Sequence, residues 1–250
     1  MKPYNEEFLL NTVSEYSDKI KECTIGRYKI EKKEIVVDKV DGYLYEKELN
    51  KKIKVIDLVE DGKTLMRLSH KEIEGSFETI NMARGRVGIV GLGLGYVVQE
   101  MAKNQKVSEI IVYEKSQEVI DMYNSNFEQD EHIKIICTDA YEAEREKFDY
   151  FYCDIYGYEL SLKVVEDYKI FNELHEIEEY TFFGVEHFLL GCSYNEIIYV
   201  YVPENWMVMC KTVAASLECT RYIEYYKPLD EDFVSNLLKE FKVILNEGEE

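Results

Sequence analysis

Three glycines alternate with leucines at Gly91-Leu92-Gly93-Leu94-Gly95, and the residues on either side leave few ways to fold them. Val87-Gly88-Ile89-Val90 is an apolar run of strand length, Val97, Val98 and Met101 recur at helical spacing, and Ile110-Ile111-Val112-Tyr113 is a second apolar run that ends on Glu114. A strand, a tight glycine turn, a helix and a second strand make a βαβ unit, whose ligand sits where the first strand meets the helix. Gly91 is expected to permit the sharp exit from the strand, Gly93 to let a ligand approach the backbone, and Gly95 to relieve crowding where the helix begins. Glu114 follows Gly91 by roughly 20 residues, the interval at which a strand-end carboxylate accepts ribose hydroxyls.

The alternation of strand and helix continues. A helix is expected from about Ser116 to Phe127, a third strand at Ile133–Cys137, and a fourth from Phe148 to Asp154. The fold class that follows is α/β, a Rossmann-like doubly wound sheet. Asp139-Ala140 falls at the carboxyl end of the third strand, where Asp139 can accept from an adenine amino group while a neighbouring backbone N–H meets a ring nitrogen. A dinucleotide fingerprint would place glycine or alanine at position 96, to allow close packing beneath a pyrophosphate. Tyr96 stands there, which turns the reading from a dinucleotide toward S-adenosylmethionine, a ligand without a pyrophosphate.

Upstream, Phe8, Leu9, Val13, Tyr16 and Ile20 predict an amphipathic helix over residues 4–22. Short β-rich runs follow at 28–30, 34–37, 42–45 and 53–58, with turn signals at Asp41-Gly42 and Asp61-Gly62, and predict a small antiparallel sheet. We divide the chain into residues 1–65, a helix with this small β-region, and residues 66–250, the nucleotide-binding unit. Gly62-Lys63-Thr64 imitates the end of a phosphate-binding loop, but Asp57 stands where that motif needs its first glycine. Ser69 is placed to cap a helix over 70–83 that leads into the first parallel strand.

With these residues in hand, the run from Val87 to Asp154 resembles the class I S-adenosylmethionine-dependent methyltransferases, and within them the spermidine synthase-like group. That group has a small N-terminal β-region, a glycine loop, an acid on the second strand, an Asp-Gly or Asp-Ala pair after the third, and a Phe-Asp-x-x-x-x-Asp strand, matched here by Phe148, Asp149 and Asp154. The resemblance implies S-adenosylmethionine as the ligand, ahead of its decarboxylated form, with Asp154 at the reactive end. Spermidine synthases follow that aspartate with Ser-Ser-Asp-Pro, whose second acid helps to deprotonate the attacking amine. Ile155-Tyr156-Gly157-Tyr158 replaces it, so methyl transfer is favoured over aminopropyl transfer. The Asn-Pro-Pro-Tyr type motif of amino-methylating DNA enzymes is absent.

Loops after the fourth strand build the acceptor site in this fold. Glu186 and His187 interrupt the apolar stretch 180–191 and are the candidates for acid/base work. Tyr156, and Trp206 after an expected fifth strand at 196–202, are the candidates for acceptor contacts. Residues 160–168 and 171–180 read as helical, 230–241 as an amphipathic helix capped by Asp230, 243–245 as a last strand, and the acidic tail 247–250 as frayed. No spacing of His, Cys, Asp or Glu makes a metal site.

A formal charge of −20 over 250 residues opposes a phosphate backbone, so the expected acceptor is a small molecule or other non-nucleic-acid partner, and a cationic one suits the field. The N-terminus lacks the pattern of a signal peptide, no apolar run is long enough to span a bilayer, and the six cysteines form no CxxC pair, so a cytoplasmic location without membrane association is expected. A homodimer stays open. Two other readings stand beside the transferase: a Rossmann oxidoreductase, and a non-catalytic binding protein on the same scaffold.

Overall fold

Alternation along the central strands accounts for the architecture. Val87 and Ile89, Ile110 and Val112, and Tyr150 and Tyr152 belong to one buried cluster, while Val90, Ile111, Tyr113, Phe151 and Cys153 belong to a second. A sheet buried on both faces is what parallel strands with crossover helices require. In the computed structural model, which describes residues 2–246, five parallel strands form that sheet. They are β5 (Gly85–Val90), β6 (Val107–Glu114), β7 (Ile133–Cys137), β8 (Lys147–Cys153) and β9 (Glu176–Phe182), in the order β7-β6-β5-β8-β9. The order reverses beside β5, so the switch point falls where the glycine loop leaves that strand. This is the expected doubly wound α/β fold. The tail 247–250 lies outside the described residues.

The N-terminal β-region is more regular than its short apolar runs imply. Helix α1 (Glu6–Lys19) precedes an antiparallel sheet in the order β1 (Cys23–Ile25), β2 (Tyr28–Asp41), β3 (Glu46–Glu60) and β4 (Lys63–Leu68). Charged residues break the apolar pattern of β2 and β3, yet the two pair along nearly their whole length, because a two-stranded ladder needs only one covered face. Asp61 and Gly62 both have positive φ, 48° and 81°, and close β3 onto β4 as the two-residue turn that their pair of residue types favours. The register then slips. Leu58 faces Met66 but Val59 faces Thr64, so Leu65 is a bulge residue just before Met66.

Helix α2 (His70–Met82) joins the two sheets and is buried almost all round. Besides Ile73 it buries Glu72, Glu74 and Glu78, which an amphipathic reading places in solvent. Beyond the glycine loop come α3 (Tyr96–Ala102), α4 (Gln117–Asn126) and, past β8, α5 (Lys163–Leu174). Tyr96 enters the core against the ring of Tyr16 on α1, 5.0 Å between centroids, which explains a bulky residue at that position.

Three expectations for the C-terminal third are corrected. The fifth strand is β9, at 176–182, where a helix was expected, and not 196–202. Glu176 and Glu178 disguise β9 because it is an edge strand, exposed over its first half. The apolar run at 196–202 instead opens with α7 (Tyr194–Ile198), set by a capping box in which Ser193 Oγ accepts from the Glu196 N–H at 3.4 Å and Glu196 Oε2 accepts from the Ser193 N–H at 3.0 Å. Residues 243–245 end a helix rather than forming a strand: after α6 (Val185–Gly191) and α8 (Glu204–Thr220), α9 (Glu231–Leu245) starts at its predicted cap, where Asp230 Oδ1 accepts from the Phe233 N–H at 2.9 Å, and keeps its apolar face buried.

Candidate active site at the switch point

The glycine loop opens onto a cavity of about 210 Å3 whose walls come from both sheets. Gly91, Leu92 and Gly93 form one wall, Glu114 and Lys115 at the end of β6 a second, Asp154 and Ile155 at the end of β8 a third, and Leu65, Met66 and Glu72 of β4 and α2 close it. Gly91 has φ of 96°, and a Cβ there would stand 2.6 Å from the Asp154 backbone oxygen, so only glycine lets β5 and β8 end side by side. Glu114 holds the loop in place. Its Oε2 accepts from the Leu92 N–H at 3.1 Å and its Oε1 from the Ser116 N–H at 2.8 Å, and each oxygen keeps a lone pair for a hydroxyl.

Two further carboxyl groups, Glu72 and Asp154, line the same cavity, and neither has an ion-pair partner among the described residues. Glu72 is buried on α2, its Oε2 accepts from the Tyr158 hydroxyl at 3.1 Å, and its Oε1 has no hydrogen-bond partner among the described residues. Tyr158 also donates to the Arg67 carbonyl at 2.8 Å, tying the loop after β8 to β4 and α2. Burial, and then the charge of Asp154, push Glu72 well above the ordinary carboxyl range. Burial pushes Asp154 up to about 7, against the opposing effect of the nearby Tyr152 hydroxyl. Burial thus favours the protonated form of both carboxyls.

The structure brings Gly91, Gly93, Glu114 and Asp154 to one cavity. It places the other candidates elsewhere. Gly95 lies at the start of α3 against the Tyr123 ring. Asp139 is exposed at the end of β7, beside β6 in the sheet, where its Oδ1 accepts from the Tyr141 N–H at 3.1 Å, and Ala140 is buried; neither lines the cavity. His187 and Tyr156 line a neighbouring space of about 340 Å3, which shares Gly157 and Tyr158 with the first. Glu186 is buried apart from both, accepting from the Tyr43 hydroxyl at 2.9 Å, and burial lifts it to about 7.

Trp206, expected at the rim, is a core residue. It is fully buried against Phe182 and Phe241, and its indole N–H donates to the Tyr180 carbonyl at 2.7 Å, because it lies on the buried face of a helix, Glu204–Thr220, and not at the end of a strand. Glu72 and Met66 escape a reading of the sequence. Glu72 carries no motif, and its neighbours on α2 are as acidic as it is.

No family model matches this chain, and no curated protein matches it. Among solved structures it is similar to 23S rRNA methyltransferase ErmE, with 18% identity over 43% of this chain and 43% of that one and a TM-score of 0.35. It is also similar to a ribosomal protein L11 methylase from Lactobacillus delbrueckii subsp. bulgaricus, with 15% identity over 46% and 60% and a TM-score of 0.37. A third is a spermidine synthase from Thermotoga maritima, with 16% identity over 56% and 54% and a TM-score of 0.37. The chain thus spans less than two thirds of the length of each of these. The fold class rests on its own strand order and glycine loop. Among the described residues, no helix is long and apolar enough to cross a membrane.

Proposed function

We propose that the protein is an S-adenosylmethionine-dependent methyltransferase whose acceptor is a small amine. The observation that carries this reading is Glu72, a buried carboxyl whose Oε1 has no partner among the described residues and which lines the same cavity as Asp154 and the glycine loop. A carboxyl pair with no cation of its own is complementary to one supplied by a ligand.

The residues present fit an adenosyl ligand. Glu114 has lone pairs left for both ribose hydroxyls, and Gly91 and Gly93 line the cavity without side chains of their own, whereas Asp139 at the end of β7 lies outside it. Bound there, S-adenosylmethionine supplies an activated methyl group. Glu72 and Tyr158 orient the acceptor nitrogen, and Asp154 takes the proton that this nitrogen sheds as its lone pair forms the new C–N bond and the old C–S electrons stay on sulfur. The net charge of −20 favours an amine over a nucleic acid at long range.

Calorimetry with S-adenosylhomocysteine tests the ligand. Glu114→Ala is expected to weaken its binding about tenfold or more through the lost ribose bonds. Binding of NADH in its place would return the oxidoreductase reading. Methyl transfer from S-adenosylmethionine to a panel of primary and secondary amines tests the chemistry. Tight binding without transfer to any amine or other acceptor would leave a binding protein.

A further inference from the structure

Strand β4 lays a side chain across the glycine loop. The Leu94 N–H donates to Met66 Sδ at 3.2 Å, and that sulfur stands 2.3 Å from where a Cβ on Gly93 would be, so the loop's missing side chain is filled by a thioether of the chain itself. The bulge at Leu65 is what puts Met66 there, since one extra residue re-aims the side chain that follows it. Other loop amides are also engaged: Gly91 N–H with the Tyr113 carbonyl, Leu92 N–H with Glu114, and Gly95 N–H with the Leu92 carbonyl. With Met66 in place the cavity measures about 210 Å3, below the roughly 300 Å3 at which small-molecule pockets begin.

We propose that Met66 is a specificity residue that competes with the amino-acid end of an adenosyl ligand for the Leu94 amide. This rests on the adenosyl reading of the cavity. A ligand carboxylate reaching the loop must displace the thioether and take its hydrogen bond, whereas a thioether nucleoside without a carboxylate leaves Met66 where it is. Lys115 is the one cation among the lining residues, against Glu60, Glu72, Glu114 and Asp154, so the loop amides are the main attraction open to a carboxylate.

Calorimetry on the full chain with two probes separates the outcomes: S-adenosylhomocysteine, which carries the carboxylate, and methylthioadenosine, which does not. Met66→Ala is expected to tighten the first about fivefold and to change the second less than about twofold. Met66→Leu retains bulk in β4 but offers no acceptor to the amide, and is expected to shift the ratio in the same direction. It carries the test if a thermal melt finds the alanine variant unfolded. An unchanged ratio, or equal weakening of both probes, overturns the competition and leaves Met66 a packing residue. If the wild-type chain binds neither probe, the adenosyl reading fails first, and this inference with it.

Discussion

Asp154→Asn is expected to lower kcat about 10²–10⁴-fold, the usual worth of a positioned general base, while S-adenosylhomocysteine affinity stays within about threefold. Asparagine retains the shape of the side chain and its place beside Gly91, so binding and proton transfer can be read apart. The wild-type kcat/KM should rise with pH through about 7 as the Asp154 carboxyl ionises, and that limb should vanish in the variant. Saturation kinetics at several pH values, together with calorimetry, measure both. Parallel losses of binding and turnover would instead make Asp154 part of the ligand cradle.

The second large effect is on stability. Glu74 accepts from the Tyr43 N–H and the Tyr45 hydroxyl, both at 2.9 Å, yet burial lifts it to about 8, and Glu186 and Asp154 stand at about 7. A carboxyl whose pKa is raised in the folded state binds its proton more tightly there than in the unfolded chain. The contribution of these three groups is therefore greatest below the unfolded value near 4.5 and declines as pH climbs through the folded values, between about 5 and 8. The three groups together predict a loss of up to about 10 kcal/mol, or ten degrees or more in Tm, between pH 5 and 8.5. Glu186→Gln retains the Tyr43 hydrogen bond and removes the titration, so it should flatten the curve near pH 7 and leave Tm at pH 5 nearly unchanged. Melting curves that do not move with pH in the wild type would sink this account.

The parallel half of the fold was legible because its physics is local. Val87–Val90, Ile110–Tyr113 and Phe148–Cys153 are buried on both faces and so read as continuous apolar runs, and glycine punctuates the one turn that needs it. The C-terminal third was not, because β9 lies at an edge with its acids in water, while the apolar stretch 196–202 was claimed by a capping box whose effect outweighs β propensity there. At the candidate site, Gly91, Glu114 and Asp154 were expected together and line one cavity because each stands at the end of a strand. Glu72 was not, since nothing in an acidic helix distinguishes a carboxylate held in a cavity from one in solvent until β4 and the loop after β8 are folded over it. Trp206 misled for the opposite reason: its place was inferred from a strand that is not there.

The contact between Gly91 and the Asp154 backbone also limits how such a chain can diverge. Because the glycine loop and the strand end that carries Asp154 abut at a distance only a hydrogen side chain permits, a substitution at position 91 cannot alter one without displacing the other. Substitutions in the covering parts, β4 and the loop 155–160, can reshape the cavity while that junction stays fixed. One side of the cavity is thus set by a backbone junction in the parallel sheet, and the other by side chains of β4, α2 and the loop after β8.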